Sequence, residues 1–281
     1  MRTDRDCASE GDRDGGPPAA IRCLHHKEGE TTRKERIRAE ITDPVNQPEY
    51  VRSLFGRIAR RYNLTNDVMS LGLHRRWKRY VLELAGLERG LRVLDLAAGT
   101  GDLALGAAGT ASATPMASVV AADFSPEMMR EGRKRPGAAS VQWISGDALD
   151  LPFPDASFDR VLIGYGLRNF ADLSAGLGEI LRCLRPGGRF LSLDFGKPGS
   201  PALQRLYFRY LELSTTAVGW LLHRDVEAYL YIPESLRRYP AQRELIGLMQ
   251  GTGFVRCGFL ELLFGTMAIN FGERPTLASA S

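Results

Sequence analysis

Cysteine and histidine are scarce in this sequence, and their positions exclude two classes of site. The four cysteines are scattered and form no Cys-x-x-Cys pair, and the adjacent His25 and His26 stand in a polar stretch without spaced partners. A disulfide framework needs paired cysteines, and a metal site needs ligands at short, defined spacings. We therefore predict reduced thiols and no metal site. The cysteines are Cys7, Cys23, Cys183 and Cys257.

Long apolar runs and dense basic runs are absent as well. No run of about 18 apolar residues is found, so the sequence predicts no membrane-spanning helix. The amino terminus has no apolar signal-peptide region, and its many acidic residues are atypical of a mitochondrial transit peptide. With a net charge of only +4, no nucleic-acid partner is predicted. A cytoplasmic enzyme fits best, and peripheral contact with an anionic membrane surface stays open.

The 281 residues, 44% of them hydrophobic, are enough for one large core with appendages. Residues 1–47 mix charges of both signs and hold almost no large apolar side chains, so we predict a disordered tail, with a short helix around 31–40 compatible with the sequence. One catalytic domain is predicted over residues 48–275, followed by a short tail over residues 276–281.

The most informative stretch is Leu91–Ala104, which reads as a buried strand, a glycine turn and the start of a helix. Gly99 and Gly101 can adopt positive φ, and the N–H groups that open the helix face the same spot. Such a loop predicts a dinucleotide or S-adenosylmethionine, and a turn that binds nothing is the alternative. Asp95, at the carboxyl end of the strand, would repel a pyrophosphate but suits the ammonium and sulfonium groups of S-adenosylmethionine. We therefore favour S-adenosylmethionine.

Two further carboxylates follow later strands. Asp123 stands 22 positions beyond Gly101, where it suits a bidentate acceptor for the two ribose hydroxyls of an adenosine. Asp147 can accept a hydrogen bond from the adenine amino group, with the backbone of Ala148 beside it. The alternatives are a helix cap for Asp123 and a turn role for Asp147.

Strands and helices alternate along the chain, which predicts an α/β fold with a doubly wound, mostly parallel, Rossmann-like sheet. Two apolar strands near the carboxyl terminus are expected to close the sheet as an antiparallel hairpin, which makes seven strands in all. Besides the strand before the glycine loop, the predicted parallel strands are Ser118–Asp123, Ser140–Ser145, Ala156–Gly164 and Phe190–Phe195.

Two helical segments are predicted on the substrate side. Residues 48–90 form a lid in which the polar Tyr62, Asn66 and His74 are too ordered in spacing for a linker. For His74, a capping or surface role and a substrate-site role both stay open. Residues 198–242 carry an aromatic stripe whose flanking charges exclude a membrane span. This stripe is either a core face or the wall of a site for a prenylated or aromatic ligand.

An Arg-Asn pair follows the fourth strand, at the same sheet edge as Asp95. Arg168 keeps its proton under ordinary conditions, so its expected role is to hold and stabilise an oxyanion. A surface salt bridge is the alternative.

Several motifs occur in a fixed order along residues 49–275. They are Tyr62–Trp77 with Asn66, Ser70, His74 and Trp77 in step, Val93–Leu103, Gly146–Phe153, Gly166–Asn169, Arg185–Gly188, Tyr231–Ser235 and Tyr239–Gln242. In this order they resemble the ubiquinone/menaquinone biosynthesis C-methyltransferases. The resemblance implies methyl transfer from S-adenosylmethionine to a ring carbon of a prenylated quinol, with a homodimer or a quinone-biosynthesis complex left open.

Carried over position by position, the resemblance implies cofactor contacts at Thr100, Asp123, Asp147 and Ala148. The family's serine before the aromatic-Gly-Leu-Arg-Asn run is Gly164 here, so that cofactor position lacks a hydroxyl. In the implied reaction, loss of a proton from a quinol hydroxyl activates the neighbouring ring carbon.

We predict that four residues carry this activation. Arg168 would stabilise the phenolate and Asn169 would orient Arg168. The proton acceptor would be His74 or a water held by Tyr62 and Arg168.

Other departures from the family's pattern bear on the substrate. Asn63 and Thr65 replace an expected Asp and Met, Asp194-Phe-Gly196 stands where Glu-x-Ser is usual, and Asn270 stands where His is usual. Methyl transfer is unaffected, but the choice of quinol becomes less defined. The competing hypotheses are a methyltransferase for another small aromatic or isoprenoid, a non-catalytic cofactor-binding subunit and, more distantly, a nicotinamide dehydrogenase.

Overall fold

The computed structural model describes residues 35–43, 45–110, 118–223 and 227–276. Residues 1–34 of the predicted tail, with Cys7, Cys23, His25 and His26, lie outside the described residues, as does most of the carboxyl-terminal tail. The first described residues, 35–42, form helix α1. Ile37 and Ile41, one helical turn apart, are buried in a cluster with Val51. The packed structure therefore begins before the predicted boundary at residue 48.

One sheet contains seven strands of the described chain. They are β1 (Arg92–Leu96), β2 (Ser118–Asp123), β3 (Val141–Ser145), β4 (Phe158–Gly164), β5 (Leu184–Phe195), β6 (Val255–Leu262) and β7 (Met267–Glu273). Their order across the sheet is β3-β2-β1-β4-β5-β7-β6. The first five strands run parallel, and β7 pairs antiparallel with β5 and with β6. This confirms the predicted doubly wound sheet and its carboxyl-terminal hairpin.

Helices cover both faces of the sheet and its carboxyl edge. Val93 and Leu94, neighbours in β1, belong to opposite buried clusters because alternate side chains of a strand point to opposite faces. The remaining helices are α2 (Gln47–Ile58), α3 (Tyr62–Ser70), α4 (Leu73–Ala85), α5 (Asp102–Thr110), α6 (Pro126–Arg133), α7 (Leu173–Cys183), α8 (Pro201–Val218), α9 (Glu227–Arg238) and α10 (Gln242–Thr252).

Two elements differ from the prediction. β5 begins at Leu184, which pairs with Phe158 before a shift in register, so the Arg-Pro-Gly-Gly stretch is the irregular start of the strand and not a separate turn. Helix α9 forms although it contains Pro233. Burial of Tyr229 and Tyr231 against the lid supplies a stabilisation that local propensity does not show.

A third buried cluster joins the lid helices to α9, with members from α1, α2 and α9. The rings of Phe55 and Tyr231 meet edge to face there, with centroids 6.5 Å apart. The lid and the 198–242 segment thus form one packed unit over the carboxyl edge of the sheet.

Candidate active site

Two cavities adjoin at the carboxyl edge of the parallel strands, where open α/β sheets bind ligands. The smaller cavity is lined by the ends of β1, β2 and β4 and by the loop after β3. The larger cavity, about 270 Å³ in volume, lies among α3, α8 and α9. Phe55, Tyr62 and Tyr165 line both cavities. Ligands in the two cavities would therefore meet across these three rings.

The turn after β1 needs glycine at both predicted positions. Gly99 has φ +58°, and a β-carbon there would lie 3.0 Å from the methyl group of Met128. Gly101 has φ +75°, and a β-carbon would lie 2.4 Å from the ring of Trp143. Gly99 lines the smaller cavity, whereas Gly101 does not and serves the packing of the turn against Trp143.

Asp123 lies in the wall of the smaller cavity, and its predicted contact with a ribose stays a prediction. Its Oδ2 accepts a hydrogen bond from the Gly99 N–H and its Oδ1 accepts one from the Ser125 N–H, both at 2.7 Å. Burial raises the pKa of this carboxyl group to about 6, while the backbone donors act in the opposite direction. Each oxygen has a second lone pair, so the carboxylate can also accept hydrogen bonds from the two hydroxyls of a ribose.

Asp95 and Thr100 lie behind the cavity wall. Asp95 is 1% exposed and its Oδ2 accepts a hydrogen bond from the Ala104 N–H at 2.8 Å, so it anchors the start of α5. Burial raises its pKa to about 7. The Thr100 hydroxyl donates to Oδ1 of Asn63 in the lid at 2.9 Å. The cofactor contacts predicted for Asp95 and implied for Thr100 both stay predictions.

The loop after β3 closes the smaller cavity. Asp147 and Ala148 line it, and Asp147 Oδ1 accepts a hydrogen bond from the Leu149 N–H at 2.9 Å. Gly164, at the end of β4, lines the same cavity. Five of the eight predicted cofactor residues therefore share one wall. They are Gly99, Asp123, Asp147, Ala148 and Gly164.

Arg168 forms a buried ion pair in the wall of the larger cavity. Its Nη1 donates to Oδ1 of Asp194 at 2.8 Å, and both side chains are 4% exposed. Burial disfavours the charge of the guanidinium, but Asp194, Tyr231 and Tyr62 together outweigh this effect, and the pKa of Arg168 is raised. The guanidinium carbon lies 5.1 Å from the centre of the Phe195 ring. Arg168 is therefore a buried cation held by Asp194, and its ion pair is not the surface salt bridge that was the alternative interpretation.

Asn169 does not hold Arg168. Its side chain accepts a hydrogen bond from the Tyr231 hydroxyl at 3.0 Å, and the residue lines the smaller cavity. The predicted orienting role is therefore corrected: Asp194 positions Arg168, and Asn169 connects α9 to the cofactor side of the site.

His74 lies in the wall of the larger cavity and not on the surface. Its Nδ1 is 2.9 Å from the Ser70 hydroxyl and 3.7 Å from Asp67 Oδ1. Burial lowers the pKa of the imidazole below its ordinary value, and Lys78 acts in the same direction. His74 is therefore neutral near pH 7 and can accept a proton. Tyr62, the other residue predicted to hold the proton acceptor, borders both cavities.

Sequence reasoning missed two functional positions. Tyr165 borders both cavities with φ +66°, and its buried hydroxyl has no hydrogen-bond partner among the described residues. Asp194, noted only as a departure from a family motif, is the counter-charge of Arg168. Both residues stand at the carboxyl ends of strands, Tyr165 after β4 and Asp194 near the end of β5. The same position had identified Asp123 as a candidate, so it could have identified these two residues as well.

The predicted aromatic stripe, which begins on α8 and continues past its end at Val218, is mostly exposed. Tyr207 is buried, but its neighbours on the opposite side of the helix face outward, so the core-face interpretation holds for Tyr207 alone among the predicted stripe residues. Tyr207 and Tyr210 line the larger cavity, which agrees with the second interpretation, the wall of a ligand site. The exposed residues of the stripe are Leu206, Tyr210, Leu213, Trp220 and Leu221.

Two structural tests concern metals and membranes. Within residues 35–43, 45–110, 118–223 and 227–276, no group of His, Cys, Asp and Glu side chains could hold a metal ion. Cys183 and Cys257 are free thiols. None of the helices in the described part of the chain is long and apolar enough to cross a bilayer.

Comparisons with known proteins show the family of this chain. The model of the ubiE/COQ5 methyltransferase family matches residues 44–274. The ubiquinone/menaquinone biosynthesis C-methyltransferase UbiE of Ectopseudomonas mendocina is 42% identical over 231 residues, which cover 81% of this chain and 90% of the relative. The enzyme of the same name from Teredinibacter turnerae is 38% identical over 239 residues, or 84% of this chain and 95% of the relative.

Solved structures share the fold at low identity. A protein described as a methyltransferase, bound to the Trm112 activator of Haloferax volcanii, aligns with a TM-score of 0.58 and 18% identity over 79% of this chain and 97% of that chain. An S-adenosylmethionine-dependent methyltransferase from Thermotoga maritima aligns with a TM-score of 0.54 and 19% identity over 79% and 99% of the two chains.

Proposed function

Because the chain belongs to the ubiE/COQ5 methyltransferase family, we propose that it transfers a methyl group from S-adenosylmethionine to a ring carbon of a prenylated quinol in menaquinone or ubiquinone biosynthesis. The observation that carries the proposal is the pair of adjoining cavities, one with a carboxylate suited to a ribose and one apolar with a buried cation. A methyl donor and an acceptor ring would meet at Phe55, Tyr62 and Tyr165.

The smaller cavity fits the adenosine part of the methyl donor. Asp123 would hold the ribose hydroxyls, Asp147 would accept from the adenine amino group, and Gly99 leaves room for close approach of the ligand to the backbone. When bound, S-adenosylmethionine supplies an electrophilic methyl group on a positively charged sulfur.

The larger cavity fits a ring that carries an isoprenoid chain. Most of its wall is apolar, with Leu54, Met69 and Trp77 among the lining residues, and the polar lining residues include His74 and Arg168. This is the usual composition of a site for a lipophilic ligand with one polar end.

Three residues of the larger cavity would activate the quinol. Neutral His74, directly or through a water held by Tyr62, accepts the proton of the hydroxyl next to the reacting carbon. Arg168 remains charged and stabilises the resulting phenolate, an effect typically worth about 3 kcal/mol for one well-placed donor. The ring carbon would then bond to the methyl carbon as the carbon–sulfur bond of the donor breaks, with neutral S-adenosylhomocysteine as the leaving group. The ring proton would pass to water, which restores the aromatic ring as a phenolate, and this phenolate would take back the proton held by His74.

The test is the mass of the product formed by purified protein, S-adenosylmethionine and either reduced demethylmenaquinone or a methoxy-prenyl-benzoquinol. We expect one added methyl group on at least one of these rings, and the ring that gains it identifies the pathway. Cofactor binding by calorimetry without product on either ring would contradict the proposal and favour another acceptor or a non-catalytic subunit. Arg168→Ala should lower turnover with unchanged affinity for S-adenosylmethionine.

A prenylated quinol resides in a lipid bilayer, so the proposed substrate also implies peripheral contact of this protein with a membrane. The oligomeric state is a separate matter, which light scattering of the purified chain would determine.

A further inference from the structure

Apolar side chains surround the mouth of the larger cavity. Leu71, Leu73, Tyr210 and Leu263 each line the cavity and are also exposed, and Phe264, next to Leu263, is 85% exposed. We call these five residues the rim. Single exposed apolar side chains are common on protein surfaces, but a set from three separate segments around one opening marks an interaction site.

The backbone of the rim is held in an unusual conformation. Leu71, Leu263 and Phe264 have φ of 50°, 46° and 57°, in the left-handed region that favours glycine. Bulky residues rarely adopt this conformation, and such strain is concentrated at functional sites. At two separate turns, the chain therefore carries a conformational cost in positions where large apolar side chains are exposed.

The exposed surface beyond the rim is also apolar. Leu206, Tyr210 and Leu213 follow one another at helical spacing on α8 and are all exposed. Exposed arginines stand close to the rim in the sequence: Arg76 follows the Leu71–Leu73 turn and Arg209 precedes Tyr210. Aromatic and aliphatic residues mixed with arginine are typical of surfaces that enter the headgroup region of an anionic bilayer.

We propose that the rim, with the exposed stripe of α8, docks on an anionic phospholipid bilayer and that the isoprenoid chain of the quinol enters the cavity through it. The inference rests on the proposed function, because only a lipid-borne substrate requires an opening that faces the bilayer. The continuity between cavity wall and exposed rim favours a bilayer over a second protein as the occupant.

The experiment compares wild type with the double variant Leu213→Asp/Phe264→Asp, whose positions do not line the cavity. Aspartate tolerates the left-handed conformation of residue 264, so the fold is retained. Sedimentation with phosphatidylcholine vesicles containing phosphatidylglycerol should show wild type bound and the double variant bound at least about tenfold more weakly. The matched control is Val45→Asp, since Val45 is 82% exposed and lines neither cavity, and it should bind like wild type.

Activity separates this proposal from the proposed function. With a long-chain quinol embedded in vesicles, the double variant should lose about tenfold in kcat/KM, while a water-soluble quinol with one isoprene unit should be methylated at the wild-type rate.

Wild type that fails to sediment with the vesicles would overturn the docking surface even if both quinols are methylated. A change of oligomeric state in the double variant with vesicle binding intact would also overturn it, because the rim would then be an interface between copies. Loss of all methylation with vesicle binding retained would refute the proposed function alone.

Discussion

The buried ion pair between Arg168 and Asp194 offers a quantitative test of the site. Asp194→Asn keeps the shape of the side chain and removes its charge, which leaves the guanidinium without its counter-charge. Both side chains are 4% exposed, so bulk water compensates poorly for the missing partner. Breaking a buried pair from one side costs about 3–5 kcal/mol, and we expect the free energy of unfolding to fall by that amount.

Asn at position 194 retains one oxygen acceptor, which matters because Asp194 also accepts hydrogen bonds from the backbone N–H groups of Arg168 and Phe195. These two donors bind different oxygens, so Asp194→Asn leaves one of them without its acceptor, and the measured loss combines the lost charge with this one lost hydrogen bond. Adding Arg168→Met removes the unpaired cation, and we expect the double variant to recover at least about 2 kcal/mol relative to Asp194→Asn alone.

Urea unfolding followed by circular dichroism would measure all members of this double-variant cycle, provided the slope with denaturant is unchanged. A loss below about 1 kcal/mol for Asp194→Asn, or losses that simply add in the double variant, would refute the pairing. Such an outcome would mean that Arg168 finds another partner or reaches water.

Three further predictions follow from individual contacts. Gly101→Ala should lower the free energy of unfolding by about 1–3 kcal/mol, because the residue has positive φ and its new β-carbon would meet Trp143. The control Gly109→Ala lies in open space on α5 and should be neutral or stabilise the protein by up to about 1 kcal/mol. Both effects can be measured from Tm. Asp123→Asn should weaken S-adenosylmethionine binding by about tenfold or more in calorimetry, and unchanged affinity would remove Asp123 from the site. Burial lowers the pKa of His74 from 6.5, so the unfolded state takes up its proton first and His74 contributes a loss of stability as the pH falls below 6.5, opposite in sign to the contributions of Asp95 and Asp123. His74→Gln should remove this contribution and raise Tm at pH 5 relative to Tm at pH 7.5, compared with wild type, and an unchanged difference would contradict it.

The sheet and the cofactor side of the site could be predicted from local sequence because each signal is contained within a few residues. The strand, turn and helix of Leu91–Ala104 predict a ligand-binding loop. Asp123 is predicted as a candidate ligand contact because it stands at the end of the next strand. Neither inference requires knowledge of which distant residues touch. The same is true of the hairpin, whose two apolar strands follow one another in the chain.

The directions of the polar side chains could not be predicted in this way. The sequence did not predict that buried Asp95 accepts a hydrogen bond from the backbone N–H of Ala104, because this contact depends on how α5 packs on β1. Asn169 was predicted to orient Arg168. Asp194 on β5 has that role instead, because β4 and β5 are adjacent in the sheet and bring Asp194 next to Arg168, 26 positions away in the sequence. Sequence neighbours are poor guides where parallel strands bring their ends together.

Contacts within the molecule also explain several departures from the family's motifs. Asn63 receives the hydroxyl hydrogen bond of Thr100 and so ties the lid to the glycine loop. Gly196 allows a close approach of chains, since a β-carbon there would lie 2.5 Å from the carbonyl oxygen of Gly265. Buried Asn270 donates to a backbone carbonyl at the start of α10, 2.8 Å away, and lines neither described cavity. These three residues make contacts within the protein and line neither of the two cavities.

Thr65 is different, because it lines the larger cavity. A threonine where the family has methionine gives a shorter side chain, and its hydroxyl lies 2.9 Å from that of Tyr229 on α9. A methionine would project further into the cavity and leave Tyr229 without this partner. If the protein prefers one quinol ring over another, the cavity geometry therefore assigns that preference to Thr65 and Tyr229. Thr65→Met should shift the ratio of kcat/KM between a naphthoquinol and a benzoquinol, whereas Asn270→His should leave that ratio unchanged.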